Sequence, residues 1–536
     1  MKIDGKHIGE LAKMTISELI KFMEGLDKTH LKTSEGRGIK NLIVKKLKSI
    51  VDVGLSYIDL NRELPTLSGG ELSRLALMNH LDSGLDSLIY VLDEPTMGLH
   101  EIEKDNLVKA LGSLKELGNT IIVVEHDKKL IEAADELIDM GPGAGTEGGE
   151  IVYQGSIESI IKSNKSITGK YLSGELEVPR KKAEERRKVH AKEPQITLKN
   201  VNTHNLKNIT AKIPLGVMVG IGGMSGSGKS SLITDTLVPL IKPYFEGRNN
   251  NRKTSALEEI ENGTEGDLTT SGNLSGWENI DEVIIVNQKP IARVNTSFPA
   301  SYIGIWDKIR SLYAKQPLAK KKQYKPGHFS FNSDRGRCPA CKGSGSQDMQ
   351  ISLFLPNLSM PCNECKGLRY KPEILEVKYM DKTITEALDM TVSEALEHFR
   401  GQTNIVKILK ILERIGMGYM TLGQSSLTLS GGEAQRVKLA KELGSEKKEH
   451  SLFILDEPST GLHSHDISKL LSLLDELVEK GNTVLIIEHD LDILSFVDWI
   501  IELGPEGGPN GGKIIAEGTP EDLKDNSQSK LGSFLN

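Results

Sequence analysis

The strongest constraint in this sequence is that it repeats itself in a fixed order. Leu67-Ser68-Gly69-Gly70-Glu71 returns as Leu429-Ser430-Gly431-Gly432-Glu433. Each copy is followed by an apolar run ending in Asp-Glu-Pro, Asp93-Glu94-Pro95 and then Asp456-Glu457-Pro458, and by a Gly-Leu-His. A second β-run follows in both, residues 120–124 and 483–487, closed by Glu125-His126-Asp127 and Glu488-His489-Asp490. Gly141-Pro142 and Gly504-Pro505 then precede a short Ile/Val run. Self-similarity of this length means duplicated architecture. Strand-like runs alternating with helical stretches call for βα units and a parallel sheet, twice over. The expected fold class is therefore α/β, with two related cassette halves. Elements upstream of the second Ser-Gly-Gly have no counterpart upstream of the first, so the first half reads as N-terminally incomplete.

The first half is expected to span 1–176 and the second 196–536. Residues 177–195 are charged and poor in large apolar side chains, as in a solvated linker. Residues 247–276 are rich in Asn, Gly, Ser, Thr and Glu, and are expected to form a surface loop. A hydrophobic fraction of 38% excludes wholesale disorder. A net charge of −7 means that any nucleic-acid surface must be a local basic patch. No apolar run reaches membrane-span length and the start carries no signal-peptide pattern, which makes the cytoplasm the expected compartment.

Gly223-Met224-Ser225-Gly226-Ser227-Gly228-Lys229-Ser230, followed by Ser231, fits a P-loop between a strand-like and a helical stretch. Glycines there let backbone N–H groups converge on phosphate oxygens. Lys229 would reach the β/γ-phosphates, and the Ser230 hydroxyl would ligate Mg²⁺. Asp456, at a strand end, suits the same cation. Glu457 is a candidate general base, and Gln288 and His489 are candidate contacts to water or the γ-phosphate.

All four cysteines fall in two pairs, Cys338-Pro339-Ala340-Cys341 and Cys362-Asn363-Glu364-Cys365, each followed by Lys-Gly. This spacing predicts a structural tetrahedral Cys₄ zinc site, with redox-active dithiols as the alternative. The inserted region, approximately 289–400, opens with a basic stretch. Residues 289–337 hold eleven Lys/Arg, among them Lys320, Lys321, Lys322, Lys325, Arg335 and Arg337, against Asp307 and Asp334. Such a patch suits DNA phosphates. Tyr324, Phe329 and Phe331 interleave with the charges. A solvated basic face over core aromatics is the other reading.

The P-loop, the Leu-Ser-Gly-Gly-Glu signature, the Asp-Glu-Pro strand and the Glu-His-Asp strand together resemble ABC-type ATPases. That resemblance implies composite sites, each pairing the P-loop of one half with the signature of the other. Residues 223–231, Gln288, Asp456, Glu457 and His489 would be completed by Ser68, Gly69 and Gly70. The opposite half-site would hold Ser430, Gly431, Gly432, Asp93, Glu94 and His126, with no P-loop ahead of residue 67.

A Cys₄ module between P-loop and signature is similar to the UvrA family. So are Asn205-Leu206-Lys207-Asn208-Ile209, Gln288-Lys289-Pro290-Ile291, residues 324–332 and Phe354-Leu355-Pro356. The resemblance implies a Mg²⁺-dependent, zinc-containing ATPase of nucleotide excision repair. It would bind damaged double-stranded DNA without itself being a nuclease. It would act as a homodimer or with a complementary N-terminal half. The family's N-terminal P-loop, its UvrB-docking insertion and another zinc module have no match here, which leaves UvrB open as a partner, and Ser73 replaces the usual Gln. Drug sequestration for self-resistance, or a non-functional fragment, are the alternative readings.

Overall fold

A computed structural model describes residues 2–26, 33–64, 71–72, 74–78, 86–143, 145, 148–190, 193–246, 271–289, 291, 297–349, 358–444 and 449–535. The α/β class and the duplication expected from the repeat are its architecture. In the first half, β1 (Ile89–Asp93) pairs in parallel with β2 (Thr120–Val124), and β3 (Leu137–Gly141) pairs antiparallel with β4 (Glu150–Gly155). The second half opens with β5 (Gln195–Val201), β6 (Ile209–Pro214) and the P-loop strand β7 (Met218–Gly223). These are followed by β8 (Asn273–Ser275) and β9 (Glu282–Val286). The inserted region contributes two ladders, β10 (Ser346–Met349) with β11 (Leu358–Pro361) and β12 (Lys378–Tyr379) with β13 (Lys382–Thr383). The chain closes with β14 (Ser451–Asp456), β15 (Thr483–Ile487), β16 (Trp499–Gly504) and β17 (Lys513–Gly518).

The second half forms a six-stranded sheet in the order β17-β16-β7-β15-β14-β9, parallel except for the β16–β17 pair. A separate antiparallel sheet, β6-β5-β8, covers one face. Between them lies a core that includes Ile196, Leu198, Leu232, Leu452, Ile454, Leu485, Ile487 and Ile501. Strands buried on both faces need continuous apolar sequence, and Thr483–Ile487, TVLII, supplies it. The other face is covered by the helix Ser464–Glu479 through Leu470, Leu471 and Leu474.

The first half repeats the register but not the cover. Asp93 pairs with Val124 as Asp456 pairs with Ile487. Among the described residues, no strand lies between β2 and β3, where the second half has β7. The face of β1 and β2 carrying Tyr90 packs on Leu107 and Leu114 of the helix Glu101–Glu116, and the opposite face is open.

The stretch following residue 177 is mostly exposed, as expected, but three of its cations are docked on the second half. Lys181 Nζ lies 2.7 Å from Asp475 and 3.0 Å from the fully buried Asp498, and Arg187 Nη1 lies 2.6 Å and 3.1 Å from the same pair. Arg186 is buried, pairing with Glu521 at 2.8 Å and donating to the Ser495 and Val497 carbonyls. A buried carboxylate must be paired. Lys181, Arg186 and Arg187 therefore pin the charged stretch to the second half. The loop expected over 247–276 lies mostly outside the described residues.

Candidate functional site

The P-loop turn depends on glycines held at positive φ: Gly223 at 130°, Gly226 at 69° and Gly228 at 108°. A Cβ on Gly223 would lie 2.1 Å from the Leu503 carbonyl oxygen, so only glycine lets β7 turn there. Lys229 is buried and curls back, its Nζ donating to the Gly223 and Met224 carbonyls at 3.0 Å each. Burial pushes its pKa down to about 8, against the pull of Glu457, Glu103 and Asp456.

β14 and β15 deliver the acidic side. Burial, reinforced by Glu488, raises Asp456 to about 6, and burial with Asp456 and Glu488 raises Glu457 to about 7. His489 Nε2 lies 3.6 Å from Glu457 Oε1. Burial first, then Lys229, drives its pKa well below the usual histidine value, leaving it neutral. Gln288 Nε2 donates to the Glu457 carbonyl at 3.3 Å and to Thr460 Oγ1 at 3.0 Å. It is thus tied to the loop after Glu457. Glu457 sits at φ 46°, a left-handed conformation costly for a side chain with a Cβ. Glu94 repeats it at φ 43°, and each donates its N–H 2.9 Å to the end of the neighbouring strand.

The halves interlock around these glutamates. A Cβ on Gly461 would be 3.1 Å from Glu94 Oε1, and one on Gly98 would be 3.9 Å from Glu457 Oε1. A cavity of about 670 Å³ lies between the halves, with Glu94 and His126 on one side and Glu457 and His489 on the other. His126 Nε2 is 3.9 Å from Glu94 Oε1, so this pair also recurs. Asp93 ends β1 beside Glu94. Ser430 caps the helix Gly431–Gly444 in a reciprocal pair with Glu433, at 3.2 Å and 2.9 Å. Gly432 packs on the Thr460 carbonyl, and Arg436 of the same helix acts electrostatically on Glu94.

Ser68, Gly69, Gly70 and Ser73 lie outside the described residues. The adjoining Glu71 is described, however, and Tyr57 Oη joins it to Ser225 of the P-loop. Two further first-half residues enter the site unannounced by the motif reading. His100 is buried, its pKa lowered to about 4 by burial and then by Lys229. Glu103 accepts from the backbone N–H groups of His100 and Ser225. The repeated Gly-Leu-His was the signal available for His100.

The four cysteine sulfurs lie within 4.8 Å of one another, all four residues are buried, and none is in a disulfide. Cys341 and Cys365 Sγ are 3.6 Å apart. Zinc–thiolate bonds of about 2.3 Å set tetrahedral sulfurs roughly 3.8 Å apart, so the cluster is compatible with zinc. Each pair ends in the same turn, Lys342 at φ 52° with Gly343 and Lys366 at φ 52° with Gly367. The Gly345 N–H donates to Cys341 Sγ at 3.3 Å.

Of the basic residues, Lys322 pairs with Glu376 at 2.5 Å and Arg337 with Asp334 at 2.5 Å. Lys320, Lys321, Lys325 and Arg335 are exposed or half-exposed. Phe329 and Phe331 are 0% and 1% exposed, and Tyr370 Oη donates to the Phe329 carbonyl at 2.9 Å. They are core residues. Tyr324 stacks on His328 with centroids 5.1 Å apart.

No protein-family model matches the sequence. UvrABC system protein A of Thermus thermophilus is 48% identical over all of this chain and 54% of its own length. That of Aquifex aeolicus is 46% identical over 99% of this chain and 56% of its own. The crystal structure of UvrA2 from Deinococcus radiodurans superposes with a TM-score of 0.89 at 38% identity, covering all of this chain and 64% of that one. The chain spans about half the length of the curated relatives it matches. On sequence and fold together, it belongs to the UvrA family.

Proposed function

We propose that this chain is an ATP-hydrolysing, DNA-binding polypeptide of nucleotide excision repair, with its turnover centred on the second half. The observation that carries this is the convergence of Lys229, Asp456, Glu457 and His489 at one buried site, with first-half residues closing over its P-loop. Residues 223–231 cradle the phosphates of ATP. Asp456 and the Ser230 hydroxyl would hold Mg²⁺, which supplies charge neutralisation on the phosphates when bound. Glu457, with a pKa near neutral, accepts a proton from water. Neutral His489 and Gln288 orient groups beside it, and Ser68, Gly69 and Gly70 complete the site from the first half. The Cys₄ cluster holds zinc as a structural ion that fixes the basic insertion. DNA is gripped by its backbone through Lys320, Lys321, Lys325 and Arg335, with Lys322 and Arg337 partly neutralised, so binding falls steeply with salt.

The half-site of Asp93, Glu94, His126, Ser430, Gly431 and Gly432 belongs to the same reading. Its partner is a segment of strand, P-loop and helix, as β7 with the helix after it is in the second half. The support is the open apolar face of β1 to β3, where the second half has that segment. A second copy of this chain fits less well, because β7 is wholly buried in its own sheet.

The test is ATP turnover of the purified chain with and without undamaged and damaged duplex DNA, with Lys229→Ala as the blank. DNA-dependent turnover above the blank is expected. Turnover equal to the blank, with or without DNA, refutes the reading.

A further inference from the structure

We infer that Tyr57 is a positioning residue that couples the P-loop of the second half to the signature helix of the first. The inference rests on the nucleotide site proposed above. Tyr57 Oη is 2.5 Å from Glu71 Oε1, the first residue past the Ser-Gly-Gly, and 3.2 Å from Ser225 Oγ inside the P-loop. Burial raises the phenol pKa, followed by the Glu71 charge, so the hydroxyl stays protonated and donates to Glu71. Its oxygen then accepts from Ser225. One side chain thus bridges the two elements that must close on a nucleotide.

The ring is seated as firmly as the hydroxyl. It lies on a floor of three glycines from the second half. A Cβ on Gly226 would meet Tyr57 Cε2 at 2.8 Å, one on Gly507 would meet Cγ at 3.1 Å, and one on Gly508 would meet Cβ at 3.2 Å. Asn205 Nδ2 ties the floor together, donating to the Gly226 carbonyl at 2.9 Å and the Gly508 carbonyl at 3.1 Å. A shift of the P-loop on binding phosphate is therefore transmitted to Tyr57 by contact, and from there to Glu71.

The repeat supplies an internal control. Tyr419 stands before the second signature as Tyr57 stands before the first. Its Oη donates to Glu433 at 2.6 Å, the counterpart of Glu71. Its Cβ lies 2.5 Å from where a Cβ on Gly145 would be, and Gly145 is the repeat counterpart of Gly508. The same contact therefore forms on both sides. Only on the Tyr57 side does the hydroxyl also reach a P-loop residue.

The experiment compares Tyr57→Phe with Tyr419→Phe in the full chain. Phe keeps the ring on its glycine floor and removes only the hydroxyl. Tyr57→Phe is expected to lower kcat about tenfold while the dissociation constant of a fluorescent ATP analogue changes less than twofold. Tyr419→Phe is expected to move neither by more than twofold. Equal losses in both variants, an unchanged kcat in Tyr57→Phe, or a tenfold loss of affinity instead of turnover would each overturn the inference.

Amide hydrogen exchange gives a readout independent of hydrolysis. ATP added to the wild type is expected to protect residues 71–78, and Tyr57→Phe is expected to abolish that protection while leaving the protection of 223–231. Protection of 71–78 that survives in Tyr57→Phe overturns the coupling. A wild type with no turnover, but with protection that depends on Tyr57, overturns the hydrolysis reading alone.

Discussion

The two halves of this molecule carry nearly the same strands in opposite surroundings. Leu452, Ile454, Leu485, Ile487, Ile501 and Leu503 of the second half are at most 3% exposed, packed against β5, β6 and the helix after the P-loop. Their repeat counterparts, Ile89, Val91, Ile122, Val124, Ile138 and Met140, are 49–69% exposed. Strand sequence is therefore not what buries a strand. The same apolar alternation is core where a covering sheet and P-loop helix pack on it, and open surface where, among the described residues, nothing packs on it. A contiguous apolar face of this kind marks a binding surface. Each of its side chains, already about half covered, gains on the order of 1–2 kcal/mol when fully covered.

The largest effect that would break this asymmetry is at Lys229. Lys229→Ala is expected to lower ATP turnover at least about 100-fold, while zinc content measured by a chromogenic chelator stays at one equivalent, because phosphate cradle and cysteine cluster are separate. Turnover that survives would mean the first half hydrolyses ATP without a P-loop of its own.

Next in size is the pair of strained glutamates. Glu457→Gln is expected to cost about 100-fold in kcat, and Glu94→Gln less than about twofold in the chain alone. The pH profile sharpens the assignment. As the proposed base, Glu457 would accept a proton only when ionised, so kcat/KM is expected to rise as pH passes upward through about 7. As the proposed phosphate ligand, Lys229 would act only when charged, so kcat/KM is expected to fall above about 8. A flat profile between pH 6 and 9 would remove both roles. With a P-loop segment supplied in trans, Glu94→Gln should become costly.

Much of this site could be read from the sequence, because each motif couples residue type to a local backbone need. Glycines at 223, 226 and 228 are demanded by positive φ, and Lys229 by the cradle they form. The paired Cys-x-x-C spacing gave the cluster for the same reason, since each tight Lys-Gly turn brings two sulfurs together. What escaped the reading depends on packing across the repeat. Tyr57, His100 and Glu103 reach the P-loop from the other half, and nothing in their local sequence says so. Only the recurrence of Tyr57 as Tyr419 and of His100 as His463 hinted at a role. The docking of Lys181, Arg186 and Arg187 within the exposed charged stretch also escaped the reading, because composition counts charges but not their partners. Asp475, Asp498 and Glu521, which neutralise them, lie hundreds of residues away. Of the two readings open for Phe329 and Phe331, the core one holds, a choice that charge spacing alone could not make.

The cysteine cluster tests whether the insertion stands apart from both halves. Cys338→Ser is expected to release the metal and weaken DNA binding about tenfold or more, with less than a threefold change in nucleotide affinity. A variant retaining a full zinc equivalent would show that the ligand set is wrong. Equal losses of DNA and nucleotide binding would show that the cluster supports the whole fold.

The smallest expected effect is the most direct probe of the comparison between halves. Leu485→Ala removes a fully buried side chain from β15 and should cost about 2–5 kcal/mol in urea unfolding. Ile122→Ala makes the equivalent truncation on β2, where the side chain is 49% exposed, and should cost less than about 1 kcal/mol. The ratio, rather than either value, carries the argument. A near-equal cost would mean that Ile122 is covered in solution by some part of the chain or by a second copy. A small cost that grows when a strand and P-loop segment is added would locate the missing cover on that face. Ile122→Glu should then block the addition while leaving the isolated chain as stable as before.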